Sequence, residues 1–282
     1  MNLESMQLLL CTNGADTTKP ALAYGQWLAE VLGKSVVVLG IAEAPKQRDK
    51  VVGLMNEVMG QLEAAGVDAQ SLLREGTATE IIAKQAQKGT YLTVVGPLGR
   101  PVLRRILRGR TFRNLLAHIS TPLLYIPALQ THLKHMLVCS GGLKYSSNLA
   151  KLAMDLTRAT DAHMTLLHIV EPITLDYPLP REVQAHRQDP LEADTPHARY
   201  LQQTMTEAQE AGISVELKVR HGHIVHEILN EVREGDYDLI GMGSTHSSNS
   251  LRHLFLPNVT AEVAEVVDCP VLTVRFTPPA GE

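Results

Sequence analysis

The chain has 282 residues, enough for one large α/β domain or two small ones, and its 44% hydrophobic and 20% charged content is that of a globular chain rather than a disordered one. Its net charge of −4 is unevenly spread: residues 1–134 hold 15 Lys+Arg against 10 Asp+Glu (+5), and residues 135–282 hold 11 against 20 (−9). That balance, with one Trp, seven Tyr and three Phe, excludes a general nucleic-acid binder built on base stacking and leaves room for a local anion site in the first half.

In chain order, short β-branched apolar runs near 7–12, 35–41, 68–73, 91–95 and 122–126 predict strands, and the segments near 19–32, 47–65, 78–88 and 111–118 predict helices. Gly33 and Gly66 stand where two of the helices should stop. The strands are almost continuously apolar, as parallel strands covered on both faces must be. A short linker, 129–134, leads to a second set of strands near 135–140, 164–170, 214–220, 237–242 and 270–275. Alternating β and α elements of this kind predict a doubly wound parallel sheet.

The second set repeats the first. Leu9-Leu10-Cys11-Thr12-Asn13-Gly14 matches Leu137-Val138-Cys139-Ser140-Gly141-Gly142 at an offset of 128, and Thr121-Pro122-Leu123-Leu124 matches Cys269-Pro270-Val271-Leu272 at 148. The offset jumps by about twenty between Pro172 and Gly212, so the second copy carries an insertion near 173–196, either a solvated excursion or a lid. The first residues have no basic n-region and carry Glu4 before the first apolar run, so no secretory signal is expected. No apolar run has membrane-span length, and Cys11, Cys139 and Cys269 make no disulfide framework; the expectation is a cytoplasmic protein with no membrane and no nucleic-acid partner.

Ligands of open parallel sheets bind beyond the strand carboxyl ends. After the fourth strand, Gly96, Gly99 and Gly109 are spaced G-x2-G-x9-G, and Gly109-Arg110-Thr111 opens a helix. Glycines let backbone N–H groups approach an anion, and a helix N-terminus favours phosphate. Six arginines (Arg100, Arg104, Arg105, Arg108, Arg110 and Arg113) lie in the same stretch, which reads as a phosphate cradle or, equally, as a basic solvated face. His221, His223 and His226 form the one dense imidazole run and are weak candidates for a metal, with no cysteine nearby. Cys11 and Cys139 end the first strands of the copies, as reactive thiols or, more commonly, small buried apolar groups. There is no G-x4-G-K-[S/T], no G-x-S-x-G and no H-E-x-x-H, and no catalytic residue can be named.

The repeated α/β unit, the G-x2-G-x9-G spacing and the endings Thr121-Pro122-Leu123-Leu124-Tyr125-Ile126 and Cys269-Pro270-Val271-Leu272-Thr273-Val274 resemble the universal stress protein family, over almost the whole chain and in its tandem form. The resemblance implies two tandem doubly wound domains, 1–128 and 135–282, each a five-stranded parallel sheet flanked by helices of the adenine nucleotide alpha hydrolase-like kind. Members with the full motif bind ATP or a related adenine nucleotide through a strand-one Asp, the backbone at the end of strand two, and the glycine loop with its following Ser/Thr. Carried over, the first domain offers Thr12, Asn13 at the Asp position, Ile41, Gly96, Gly99, Arg100, Gly109, Arg110 and Thr111, with Mg2+ an open companion. Arg110, where the motif has Ser/Thr, either pairs with phosphate or fills the cleft. In the second domain Gly141 takes the Asp position, Gly243 keeps the first glycine, and His246 and Pro257 replace the other two. Proline removes a needed N–H, so Ser140, Gly141, Gly243, Ser244 and His246 mark a degenerate site.

The resemblance also implies that 122–126 and 270–275 meet about a pseudo-twofold within the chain, with a homodimer beyond it and protein partners that cannot be named. The favoured expectation is a stress-response or signalling module that binds an adenine nucleotide in the first domain. The alternative is a dimerising interaction scaffold or a carrier of another small ligand. A slow ATPase, with Asp16 as the nearby acid, is a third reading, and an enzyme is the lesser expectation.

Overall fold

The computed structural model describes residues 3–98, 112–140, 147–171, 196–245 and 259–276, with Ser244, Thr245 and Phe276 described by backbone alone. The first copy runs β1 (Gln7–Thr12), α1 (Lys19–Leu32), β2 (Val36–Ala42), α2 (Arg48–Ala64), β3 (Ala69–Glu75), α3 (Ala78–Ala86), β4 (Tyr91–Val95), α4 (112–118) and β5 (Leu123–Tyr125). The second runs β6 (His135–Ser140), α5 (Ser147–Thr160), β7 (His163–Val170), α6 (Pro196–Glu210), β8 (Val215–His221), α7 (Ile224–Glu234), β9 (Leu239–Thr245), α8 (Val259–Val266) and β10 (Val271–Phe276). Nine of the ten strands start and stop within two residues of the sequence expectation, and β9 runs three residues past its expected end, to Thr245. The expected insertion lies outside the described residues except at Pro196, which opens α6, where a missing N–H costs nothing.

Local chemistry explains the elements. All seven residues of β2 are buried, which requires cover on both faces. α2 buries Val51, Leu54, Met55, Val58 and Leu62, one stripe at helical spacing. α1 has a proline in its first turn and ends at Gly33 with φ +60, a left-handed conformation that favours glycine. The two copies use the same backbone punctuation: Gly66 (φ +71) and Gly212 (φ +75) close equivalent helices, and Gly76 (φ +133) and Gly222 (φ +154) follow equivalent edge strands.

The strands form one ten-stranded sheet in the order β3-β2-β1-β4-β5-β10-β9-β6-β7-β8. Every pairing is parallel except β5 with β10, where Val271 faces Tyr125, Leu272 faces Leu124 and Thr273 faces Leu123. The last strands of the two copies therefore meet within the chain, as the resemblance implies. Alternate strand residues feed two apolar layers. Leu8, Leu10, Val36 and Val38 pack with Leu28 of α1, Leu62 of α2, Leu149 of α5 and Leu201 of α6. Leu9, Val37, Leu39 and Ile41 pack with Ile82 of α3, Leu115 of α4, Ile228 of α7 and Val263 of α8. Each layer runs through both copies. No helix among the described residues is long and apolar enough to cross a membrane.

On the outer face of the second copy, a charge network joins the apolar packing of α7. β8 presents Lys218 and Arg220 to α7, where Lys218 donates to Glu231 at 2.8 Å and Arg220 reaches Glu227 (2.9 Å), Glu231 (2.9 Å) and Glu234 (2.7 Å). Burial pushes the Glu231 carboxyl up, but the bonds from Lys218, Tyr237 and Arg220 together hold it below its ordinary 4.5. The bond from Arg220 is the main cause of the same downward direction at Glu227 and Glu234. A carboxyl depressed in the folded state contributes stability above its unfolded value, and that stability is lost as pH falls through the folded value.

Two outcomes are expected. Glu231→Gln strands a half-buried Lys218 and Arg220 and lowers stability by about 2–4 kcal/mol at neutral pH. The loss shrinks below about pH 4.5, where the native chain also forfeits the interaction, so urea midpoints of the two proteins should converge in acid. At the seam, Leu124 is fully buried while Leu129 is 72% exposed. Leu124→Ala should cost about 2–5 kcal/mol in urea denaturation and Leu129→Ala under about 0.5, and equal costs would contradict the seam as a core.

Candidate functional site

In the first copy β2 and β4 lie on opposite sides of β1, so the chain leaves the sheet in two directions and opens a crevice beyond the carboxyl ends of β1 and β4. Three departing segments meet there: 12–14, 41–43 and 96–98. The Asn13 amide nitrogen donates to the Leu98 carbonyl at 2.9 Å and reaches Glu43 Oε2 at 3.4 Å, while Asn13 Oδ1 accepts from the Ala15 N–H at 3.2 Å. The other Glu43 oxygen accepts from the Ala78 N–H at 3.2 Å, the first residue of α3, where a negative charge complements the helix dipole. Thr17 adds a bond from its hydroxyl to the Pro97 carbonyl at 2.6 Å. The floor of the crevice is thus tied together from three loops.

Thr12 is fully buried, with its hydroxyl 2.7 Å from that of Thr18 and accepting the Gly14 N–H at 3.0 Å. Its oxygen shapes the turn after β1. Gly14 sits at φ +76 with Val51 close against it, so the turn requires a residue without a Cβ. The Ile41 side chain is buried in the core, and its backbone pairs with Arg74 of β3. A Cβ at Gly96 would come within 3.0 Å of the Thr17 carbonyl oxygen and 3.2 Å of Thr18 Cα, so this glycine admits the turn leading into α1. Asp16 is held by Lys19 at 3.1 Å and Lys50 at 3.7 Å on the surface. Gly99, Arg100, Gly109, Arg110 and Thr111 lie outside the described residues.

The corresponding crevice of the second copy lies between β6 and β9. Ser140 is buried there, and its backbone carbonyl lies 3.4 Å from the ring Nδ1 of buried His168. At Gly243 a Cβ would meet nothing within 4 Å, and the Ser244 backbone registers with Arg275 of β10. Gly141, His246 and Pro257 lie outside the described residues. Cys11 is buried and Cys139 half-buried; burial raises the Cys11 thiol strongly and pushes Cys139 up to about 12, which removes the thiolate needed for reactivity. His221 ends β8, His223 caps α7, and His226 turns to Glu227 at 3.2 Å. The three do not share a position where their ligand atoms lie within 4.8 Å of one another.

Glu43, Thr17 and Leu98 complete the first crevice and were not singled out by sequence. One signal was present: Glu43 recurs as Glu171 at the repeat offset of 128. The bonds of Asn13 predict the outcome of restoring an acid at this position. Asn13→Asp loses both donor bonds and sets a carboxylate against the Leu98 carbonyl and Glu43. It should cost about 1–2 kcal/mol at neutral pH by thermal denaturation, and part should return in acid once the new carboxyl is protonated and can donate again.

The sequence model of the Universal stress protein family matches residues 132–275. Universal stress protein Slr1230 of Synechocystis is 23% identical and aligns with 95% of this chain and 99% of its own. Universal stress protein YxiE of Bacillus subtilis is 30% identical over 145 residues, covering 50% of this chain and 97% of that protein. Among solved structures, a universal stress protein from Archaeoglobus fulgidus superposes with a TM-score of 0.71 at 18% identity, covering 97% of this chain and 99% of that one, which shows a shared fold. With its doubly wound repeat and the family match over half its length, this chain belongs to the universal stress protein family.

Proposed function

We propose that the chain is a cytoplasmic stress-response module that binds an adenine nucleotide such as ATP at the β1–β4 crevice of its first copy and signals by occupancy rather than by turnover. The observation that carries this reading is the bond from Asn13 to the Leu98 carbonyl. It fixes the start of the glycine-spaced loop beside the end of β1, and the sequence continues from there into Gly99 and Arg100. Backbone N–H groups of Gly99 and Gly109 would face the phosphates, Arg100 and Arg110 would supply charge, and the backbone at Ile41 would meet the base. The second copy, with Gly141, His246 and Pro257 in place of the motif residues, would hold no ATP.

A second reading, an interaction scaffold or carrier of another small ligand, is favoured by one observation. The side chains of Thr12, Asn13 and Thr17 are already engaged within the protein. Calorimetry and thermal denaturation with ATP and ADP, with GTP as a competitor, separate the two. The nucleotide reading expects saturable heat and about 2.7 kcal/mol of added stability at a hundredfold excess over Kd. Gly99→Ala or Arg110→Glu should weaken binding by about tenfold or more. No heat and no shift at millimolar nucleotide would leave the scaffold reading standing.

A further inference from the structure

The amino ends of β6, β7 and β8 carry a second polar constellation, away from the crevice of their own copy. Parallel register sets His135 opposite His163 at the first position of each strand, and Thr165, two residues further along β7, opposite Glu216. The two imidazole rings stand 4.9 Å apart by centroid. One ligand atom each from His135, His163 and Glu216 lies within 4.8 Å of the others, and His163 Nε2 is 4.0 Å from Glu216 Oε1. Both histidines are half-buried and Glu216 is exposed, so the constellation is open to water on one side.

The surroundings hold the rings in place. His163 Nδ1 is 2.8 Å from the Ser214 hydroxyl, which leaves Nε2 turned toward Glu216. His135 Nε2 is 2.8 Å from the Thr165 hydroxyl, which donates to Glu216 Oε1 at 2.9 Å, and the His135 ring is also hydrogen-bonded to the backbone at Asp236. The Tyr237 ring covers His135 at 4.4 Å. Lys218 lies 3.7 Å from Glu216 but gives its short bond to Glu231.

The first copy serves as an internal comparison. The positions matching His135, His163 and Glu216 hold Gln7, Ser35 and Gln70, and Gln7 simply donates to the Ser35 hydroxyl at 2.8 Å. All three positions differ, and each carries a metal-ligating group only in the second copy. Two imidazole nitrogens with one carboxylate suit zinc and its neighbours, whereas Mg2+ and Ca2+ prefer oxygen throughout. A tetrahedral ion holds such atoms about 3.3 Å apart, so the side chains close by about 1 Å through rotation, and a fourth position stays open to water.

We propose that His135, His163 and Glu216 form a binding site for a zinc-class divalent cation. The test is titration of the full chain with Zn2+ by calorimetry and with Co2+ by visible absorption. One ion per chain is expected, with the intense absorption of a four-coordinate cobalt site and no comparable binding of Mg2+. His135→Gln, His163→Ser and Glu216→Gln install the residues that the first copy already uses, so the fold has a precedent for them. Each should weaken binding by about tenfold or more, and the triple variant should abolish it while its circular dichroism stays that of the parent. His223→Ala with His226→Ala should leave the titration unchanged. Binding that survives in the folded triple variant, that is lost with His223 and His226 instead, or that is absent at about 0.1 mM ion overturns the proposal.

Discussion

Three register pairs between β5 and β10 hold the molecule in one piece. β5 is only three residues long, too short to close an apolar sheet by itself, and its counterpart supplies the missing neighbour. Leu123, Leu124, Tyr125, Val271, Leu272 and Thr273 are each 3% exposed or less, and the Phe112 ring packs on Tyr125 at 4.8 Å. The opposite net charges of the two halves contribute little here. The ion pair of Arg113 with Glu265 spans the seam at 2.8 Å, but both side chains are substantially exposed, and such pairs contribute at most about 1 kcal/mol. Apolar burial makes the junction, and the first half's positive excess has another basis, the six arginines of 100–113.

Strands and helix ends were legible because they depend on local sequence. The unbroken apolar run of β2 and the stops at Gly33 and Gly66 can be read without knowing what packs against them. The repeat then set the number of strands, and the family resemblance implied which of them would meet. The element order of each copy calls for α6, but its start at Pro196 was hidden because the insertion broke the offset there. The crevice was legible only in outline. Asn13 was identified by position, but its partners are 30 and 85 residues away, and such distances cannot be read from spacing. Gly96 was read as a glycine that lets backbone N–H groups approach an anion; in the structure its missing Cβ makes room for the turn at Thr17 and Thr18.

The two copies show what a duplicated fold preserves and what it releases. Backbone conformations persist: paired glycines keep positive φ in both. Polar side chains at the same positions diverge. Gln7 and Ser35 became His135 and His163, or the reverse, without disturbing the strands that carry them. Buried Gln85 of α3 contrasts with the charged contacts of buried Glu231 in α7, so the outer layer of one copy is neutral where the other is ionic. Positions at strand ends and on helix flanks tolerate this exchange because the apolar layers beneath them already specify the fold.

The antiparallel sense of the β5–β10 pairing also decides which way each end of the molecule faces. Within either copy the strands run together, but across the seam their direction reverses. The carboxyl ends of β1 and β4 therefore emerge along the same margin of the sheet as the amino ends of β6, β7 and β8. Five strand steps separate β1 from β6, about 24 Å at the usual spacing. A partner approaching that margin meets the crevice of one copy beside the histidine pair of the other, while the crevice of the second copy opens on the far margin. Duplication with a reversed seam has given the sheet two unlike rims.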